Sequence, residues 1–117
     1  MDSRQRRVAL VTGSSRGLGS AIARRLAQDG LAVAVNGVRD GAQALPVVDG
    51  IERAGGVAAS FQADVTDERQ SVELVAAVSE RFGPVDVLVV NATGPQPEAP
   101  LAGVSWDDHL AKLEFFL

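Results

Sequence analysis

Short apolar runs alternate with amphipathic stretches along this chain. Residues 8–11 are apolar throughout and rich in valine, and they run straight into Thr12-Gly13. A run without polar alternation suits a strand covered on both faces of a parallel sheet. Over 17–29, Leu18, Ile22 and Leu26 recur at four-residue spacing with Ala23 and Ala27 beside them, which predicts a helix stopped by Gly30. Residues 31–35 predict a second strand. A weaker helix is predicted over 41–54, with Pro46 near its start and Gly55-Gly56 at its end, and a third strand over 57–62. Val75, Val78 and Phe82 predict a helix over 67–82, which Asp67 and Gln70 open at capping-box spacing and Gly83-Pro84 ends. Residues 85–90 form the most uniformly apolar run and predict a fourth strand. Three of the five prolines then fall in 91–104, a predicted loop. Ser105 can cap a last helix, with Asp107 and Asp108 in its first turn and Trp106, Leu110, Leu113 and Leu117 along one stripe.

The order β-α-β-α-β-α-β-loop-α implies right-handed crossovers and an α/β fold, a Rossmann-type doubly wound parallel sheet. Ligands bind such sheets beyond the carboxyl ends of the strands, where the strand order reverses. The unusual residues of this chain stand at those ends: 13–19, 36–39, Asp64 and 91–94.

Composition narrows the picture. The 117 residues, 46% hydrophobic and 22% charged, suit one compact domain with a buried core. No apolar run approaches the roughly 20 residues that cross a bilayer. The charged start, through Arg7, lacks the apolar centre of a secretion signal, so the expected location is the cytoplasm with no membrane contact. The chain has no cysteine, which removes disulfides, thiolate ligands and cysteine nucleophiles. Net charge is −4 and aromatics are 4%, so neither a basic surface nor stacking platforms invite nucleic acid, and Arg4, Arg6 and Arg7 read as a solvated terminus. His109 is the only histidine and has no companion ligands, so no metal site is expected and it reads as a surface residue. There is no tyrosine, and Lys112 is the only lysine.

The chemistry-bearing motif is Thr12-Gly13-Ser14-Ser15-Arg16-Gly17-Leu18-Gly19. Missing side chains let backbone approach a pyrophosphate, and a helix amino terminus supplies free N–H groups and a positive dipole end. A tight strand-to-helix turn with no ligand is the plain alternative. The spacing G-x-x-x-G-x-G is neither G-x-G-x-x-G nor a phosphate loop, which needs Gly-Lys-Ser/Thr.

With Asp64-Val65 after the third strand, Asn91-Ala92-Thr93-Gly94 after the fourth and Gly83-Pro84-Val85-Asp86 before it, these glycines resemble the landmarks of short-chain dehydrogenases/reductases. The likeness spans nearly the whole chain, 1–117, which is similar to the cofactor-binding amino-terminal part of such a single-domain enzyme. Within the family it is nearest to bacterial 3-oxoacyl-carrier-protein reductase-like members. The resemblance implies a cofactor-binding set of Gly13, Ser15, Arg16, Gly17, Leu18, Gly19, Arg39, Asp64, Val65, Asn91, Ala92 and Gly94. Asp64-Val65 would contact adenine, and Asn91 would help to hold the ribose. Asp64 can also be a cap beside Thr66, and Asn91 can simply tie one strand end to its neighbour.

Cofactor type follows from charge. A site specific for NAD carries an acid at the end of the second strand to accept from the ribose 2′-OH, and that acid repels a 2′-phosphate. Here the strand end reads Val35-Asn36-Gly37-Val38-Arg39, with no acid before Asp40, and Arg16 stands in the glycine turn. Two arginines without a carboxylate favour NADP(H) over NAD(H). Ordinary solvated arginines are the alternative.

The resemblance also implies an Asn-Ser-Tyr-Lys proton relay and a small carbonyl or alcohol substrate. Tyr-x-x-x-Lys cannot occur in a chain without tyrosine, and where the relay asparagine is expected the sequence reads Leu113-Glu114-Phe115-Phe116. No residue is therefore assigned a catalytic role. The apolar end at Phe115-Phe116-Leu117 gives the expectation of a fragment or an early stop rather than a complete natural protein. The expected function is hydride transfer between a nicotinamide cofactor and a carbonyl or hydroxyl carbon, with the catalytic residues elsewhere. A non-catalytic nucleotide-binding module is the alternative. The family likeness and the Trp106 stripe imply a homo-oligomer, a dimer of dimers.

Overall fold

The structure is a computed structural model that describes residues 6–39, 41–92, 103, 105–107 and 110. Four parallel strands, β1 (Val8–Val11), β2 (Ala32–Gly37), β3 (Val57–Gln62) and β4 (Val87–Val89), lie in the order β3-β2-β1-β4. Three helices connect them: α1 (Gly17–Gln28), α2 (Leu45–Arg53) and α3 (Glu68–Phe82). The chain steps outward from β1 to β3, then returns to place β4 on the other side of β1. The switch point therefore lies at the carboxyl ends of β1 and β4, as expected for the Rossmann-type class. Most of the last predicted helix lies outside the described residues, among them His109, Lys112 and Leu113, as do Gly94 and its neighbours in the predicted loop.

Strand side chains alternate between the two faces. Ala9, Val11, Val33 and Val35 pack with Ala23, Ala27, Val47 and Ile51 from α1 and α2. Val8, Leu10 and Ala34 pack on the other face with Leu74 and Val78 from α3. The β1–β4 register is held at its amino end by a reciprocal pair. Asp86 N donates to Val8 O (2.9 Å), and Val8 N donates to the Asp86 carboxylate (2.8 Å).

Several expectations shift. β2 begins one residue later than predicted and runs to Gly37, because Asn36 and Gly37 pair with Phe61 and Gln62. α2 starts only at Leu45, since residues 41–44 form turns; Pro46 sits in its first turn, where a missing N–H costs nothing. The buried stripe of α1 is Gly19-Ala23-Ala27 rather than one led by Leu18, which is 70% exposed. Small residues let this helix lie close on the sheet, and Ile22 and Leu26 pack at the margins. In α3 the buried pair is Leu74 and Val78, while Val75 is largely exposed. β4 is shorter than its apolar run, and Leu88 and Val90 are exposed. Among the described residues β4 pairs with β1 alone.

Candidate functional site

The chain leaves β1 through Thr12 and turns into α1 with two residues in the left-handed region, Gly13 (φ 63°) and Gly17 (φ 59°). Any residue with a Cβ would be strained at either position. The two glycines differ in their surroundings. A Cβ on Gly13 would lie 2.8 Å from Ala92 Cα, whereas one on Gly17 would meet nothing within 4 Å. Gly13 is thus a packing requirement of the protein itself, and Gly17 faces open space. Gly19 is buried in the contact of α1 with the turn, where a Cβ would strike Gly13 O and lie 2.6 Å from Asn91 Nδ2.

α1 and α3 begin differently. The N-cap of α3, Asp67, accepts from Arg69 N and Gln70 N, and the expected capping box is completed in altered form. Gln70 Nε2 donates to Asp67, while Gln70 Oε1 reaches back to accept from Asp64 N (2.9 Å). The N-cap of α1 is Arg16, which supplies no side-chain cap, and no acid stands in the first turn. The first helical N–H groups, at Gly17, Leu18 and Gly19, have no acceptor among the described residues, nor has that of Ser15. Such an end, with its positive dipole, is matched to an anion.

Thr12 joins the two strand ends at the switch point. Its Oγ1 accepts from Asn91 N and from Ala92 N, both at 3.0 Å. Asn91 Nδ2 donates to Gly13 O (3.1 Å). Asn91 therefore ties β4 to the glycine turn, the plainer of its two sequence readings, with its side chain still at the switch point.

Asp64 follows β3. Its Oδ1 accepts from Thr66 Oγ1 (2.6 Å) and Thr66 N (3.0 Å), so the carboxylate closes a local turn ahead of the true cap, Asp67. The Thr66 hydroxyl, and after it the Thr66 N–H, hold the Asp64 carboxyl below its ordinary value of 3.8. A carboxyl lowered in the folded state adds stability above its unfolded pKa, near 3.8, and loses it as pH falls through the folded value. Thr66→Val should raise the Asp64 pKa toward 3.8 in an NMR titration of the carboxyl, without altering the fold at neutral pH. An unmoved titration would show that the hydroxyl bond is not formed.

Arg16 and Arg39 are both exposed and have no ion pair among the described residues. They flank one corner, because Ser15 lies against Gly37: a Cβ on Gly37 would be 3.1 Å from Ser15 Oγ. Among the described residues, the segment from β2 through Arg39 carries no carboxylate. Asn36, the polar residue there, is not turned outward. It is 1% exposed and its side chain bonds entirely to backbone, at Gly13 N, Phe61 O and Ala63 O. Sequence reading marked position 36 as part of an unusual strand end without an acid and gave Asn36 no role of its own. The missed signal was an amide side chain inside an otherwise apolar, β-branched strand.

On the α3 face an open apolar groove of about 520 Å³ runs between β1, β4 and α3, from Leu88 and Val75 up to Thr12, Val65 and Ala92. Among the described residues no three His, Asp or Glu side chains gather as metal ligands, and no helix is long and apolar enough to cross a membrane.

The geometry agrees with known proteins. The family model for short chain dehydrogenases matches residues 7–112, and the chain belongs to that family. It is 48% identical over 92 residues to an uncharacterized oxidoreductase of Methylorubrum extorquens, covering 79% of this chain and 37% of that protein. Among solved structures, an actinorhodin polyketide ketoreductase with NADPH superposes with a TM-score of 0.80 at 39% identity, over 100% of this chain and 44% of that one. A metagenomic short-chain oxidoreductase in complex with NADP gives 0.77 at 34% identity, over 99% of this chain and 52% of that one. The chain thus spans roughly two-fifths to one-half of the length of these relatives.

Proposed function

We propose that this chain is the NADP(H)-binding part of an oxidoreductase that moves hydride between a nicotinamide and a carbonyl or hydroxyl carbon of a small molecule. The observation that carries the reading is an uncapped, acid-free helix start at the switch point, with Arg16 at its N-cap and, among the described residues, Arg39 but no carboxylate on the segment that leaves β2. The pyrophosphate would rest on the N–H groups from Ser15 to Gly19, with Gly13 and Gly17 shaping the approach. Arg16 and Arg39 would take the 2′-phosphate. Asp64 and Val65 would border the adenine, and Asn91, Ala92 and Gly94 the nicotinamide ribose. The nicotinamide, when bound, supplies or accepts the hydride. The residues of this chain would bind and orient it, and no residue is assigned the accompanying proton transfer.

Support for the 2′-phosphate comes from the ketoreductase with NADPH and the metagenomic enzyme with NADP. The ketoreductase also makes a 3-oxoacyl-like ketone the first substrate class to try. We further propose a cytoplasmic homo-oligomer, a dimer of dimers, in keeping with the exposed apolar residues Leu88, Val90 and Trp106. The lack of any tyrosine in these 117 residues favours one second reading, a nucleotide-binding module without turnover.

Titration with NADPH and NADH tests the main reading. A charge-assisted contact to the 2′-phosphate contributes about 1.5–3 kcal/mol, so NADPH should bind at least about tenfold more tightly. Gly37→Asp should move preference toward NADH through repulsion and a new acceptor for the 2′-OH. Because a Cβ at 37 already presses on Ser15, Gly37→Ala is the steric control and should leave the ratio of the two cofactors unchanged. Equal or better NADH binding by the unmutated protein would overturn the assignment.

A further inference from the structure

We propose that Asn36 and Ser14 are positioning residues, a buried clamp that presets the glycine turn and its distance from the Asp64 corner before a dinucleotide arrives. The proposal rests on the reading above that the turn receives the pyrophosphate and the Asp64 corner the adenine.

Both side chains are buried, Asn36 at 1% and Ser14 at 0% exposure, in a layer otherwise filled by valine, leucine and alanine. Burying an amide and a hydroxyl is costly unless each group is bonded. Here each is. Asn36 Nδ2 donates one proton to Phe61 O (3.1 Å) and the other to Ala63 O (3.2 Å), and Oδ1 accepts from Gly13 N (3.1 Å). Ser14 Oγ donates to Val11 O (2.6 Å) and accepts from Asn36 N (2.9 Å), while Ser14 N donates to Asn36 O (2.8 Å). The amide has one workable orientation. A flip would set its oxygen against two carbonyls and its NH₂ against an N–H.

Two consequences bear on binding. Gly13 N–H and Ser14 N–H are consumed inside the protein, so the N–H groups left for an anion begin at Ser15. Asn36 also grips Ala63, the residue before Asp64, with the same amide that holds Gly13. One side chain therefore links the two halves of the dinucleotide site. An apolar residue at 36 would fill the layer and keep the backbone bonds from Ser14 N to the residue 36 carbonyl and from Ala63 N to Gly37 O, but it would lose the side-chain hold on Gly13 N and on the Phe61 and Ala63 carbonyls, and a fully bonded buried network selects a single arrangement.

The experiment compares two ligands on the full chain. NADPH spans both halves, and adenosine, which carries neither the 2′-phosphate nor a 5′-phosphate, occupies the Asp64 corner alone. For Asn36→Ala and Ser14→Ala, NADPH affinity should fall about tenfold or more, as expected for loss of preset hydrogen bonds, while adenosine affinity stays within about twofold. Parallel loss of both ligands would mean general loosening and would overturn the clamp, as would unchanged NADPH binding. If neither variant folds, hydrogen exchange of the Gly13 amide in the unmutated, ligand-free protein decides. Strong protection supports the clamp, and exchange at the rate of an open loop rejects it. Failure of the unmutated protein to bind NADPH at all would reject the functional reading, and the Gly13 amide would still judge the clamp on its own.

Discussion

Gly13→Val and Gly19→Val should each abolish dinucleotide binding, a loss of at least about a hundredfold, and both should lower thermal stability. At Gly13 two penalties coincide. The left-handed backbone costs a residue with a Cβ about 1–2 kcal/mol. The new Cβ would also sit 2.8 Å from Ala92 Cα, backbone that cannot swing aside. At Gly19 the collision is with Gly13 O, Ser14 Cα and the Asn91 amide, so the bond from Asn91 Nδ2 to Gly13 O must break. Overpacking of this kind costs about 1–3 kcal/mol. The obstruction is therefore protein against protein, not only side chain against ligand. Gly17→Ala separates the two effects, because its Cβ meets no protein atom within 4 Å. It should keep the fold, at the cost of the left-handed strain alone, and still weaken NADPH. Isothermal titration with circular dichroism reads both properties. Normal NADPH binding by a folded Gly19→Val protein would make the turn structural only.

The second large effect is on turnover. Residues 1–117 alone should bind NADPH weakly and show no reductase activity with ketones or 3-oxoacyl thioesters. The glycine turn, Asp64 and Asn91 are in place. The chain has no tyrosine to donate a proton, and Lys112 follows Trp106 and Leu110 rather than a tyrosine. Losing general acid catalysis typically costs about 10²–10⁴-fold, and the lysine that the family resemblance implies at the ribose is missing as well. A stopped assay beside a short-chain dehydrogenase that carries Tyr-x-x-x-Lys measures this. Turnover by the 117-residue chain at a comparable rate would show that the proton-transfer groups lie within these residues.

What could be read in the sequence and what could not divides along a physical line. Strand identity, helix identity and the glycine turn depend on local patterns: uninterrupted valine-rich runs, four-residue spacing, and a G-x-x-x-G-x-G turn after a strand. β1 and β3 match their apolar runs to the residue, and the Asp67–Gln70 cap is a short-range device that depends on spacing alone. Which face of a helix is buried was less legible. On α1 the largest apolar side chains pointed to Leu18, but the sheet demanded close approach and buried Gly19, Ala23 and Ala27. β4 comes from the most uniformly apolar run, yet exposure depends on neighbours, and among the described residues it has one strand beside it.

The candidate site shows the same division. Order along the chain placed Gly13, Arg16, Gly17, Gly19, Arg39, Asp64 and Asn91 at strand ends, and the family resemblance implied that they hold a nucleotide. Only the tertiary structure decided what each polar group faces. Asn36 turns inward to Gly13, Phe61 and Ala63, and Asp64 spends one oxygen on Thr66. Asn91 binds the carbonyl of Gly13, and Thr12 stitches β1 to β4. These partners lie between 2 and 80 residues apart along the chain. The amino-acid pattern determined which segments become strands and helices because those preferences are local. Which N–H groups remain for a ligand was decided by contacts between distant segments, and those exist only once the sheet order β3-β2-β1-β4 has brought four strand ends together.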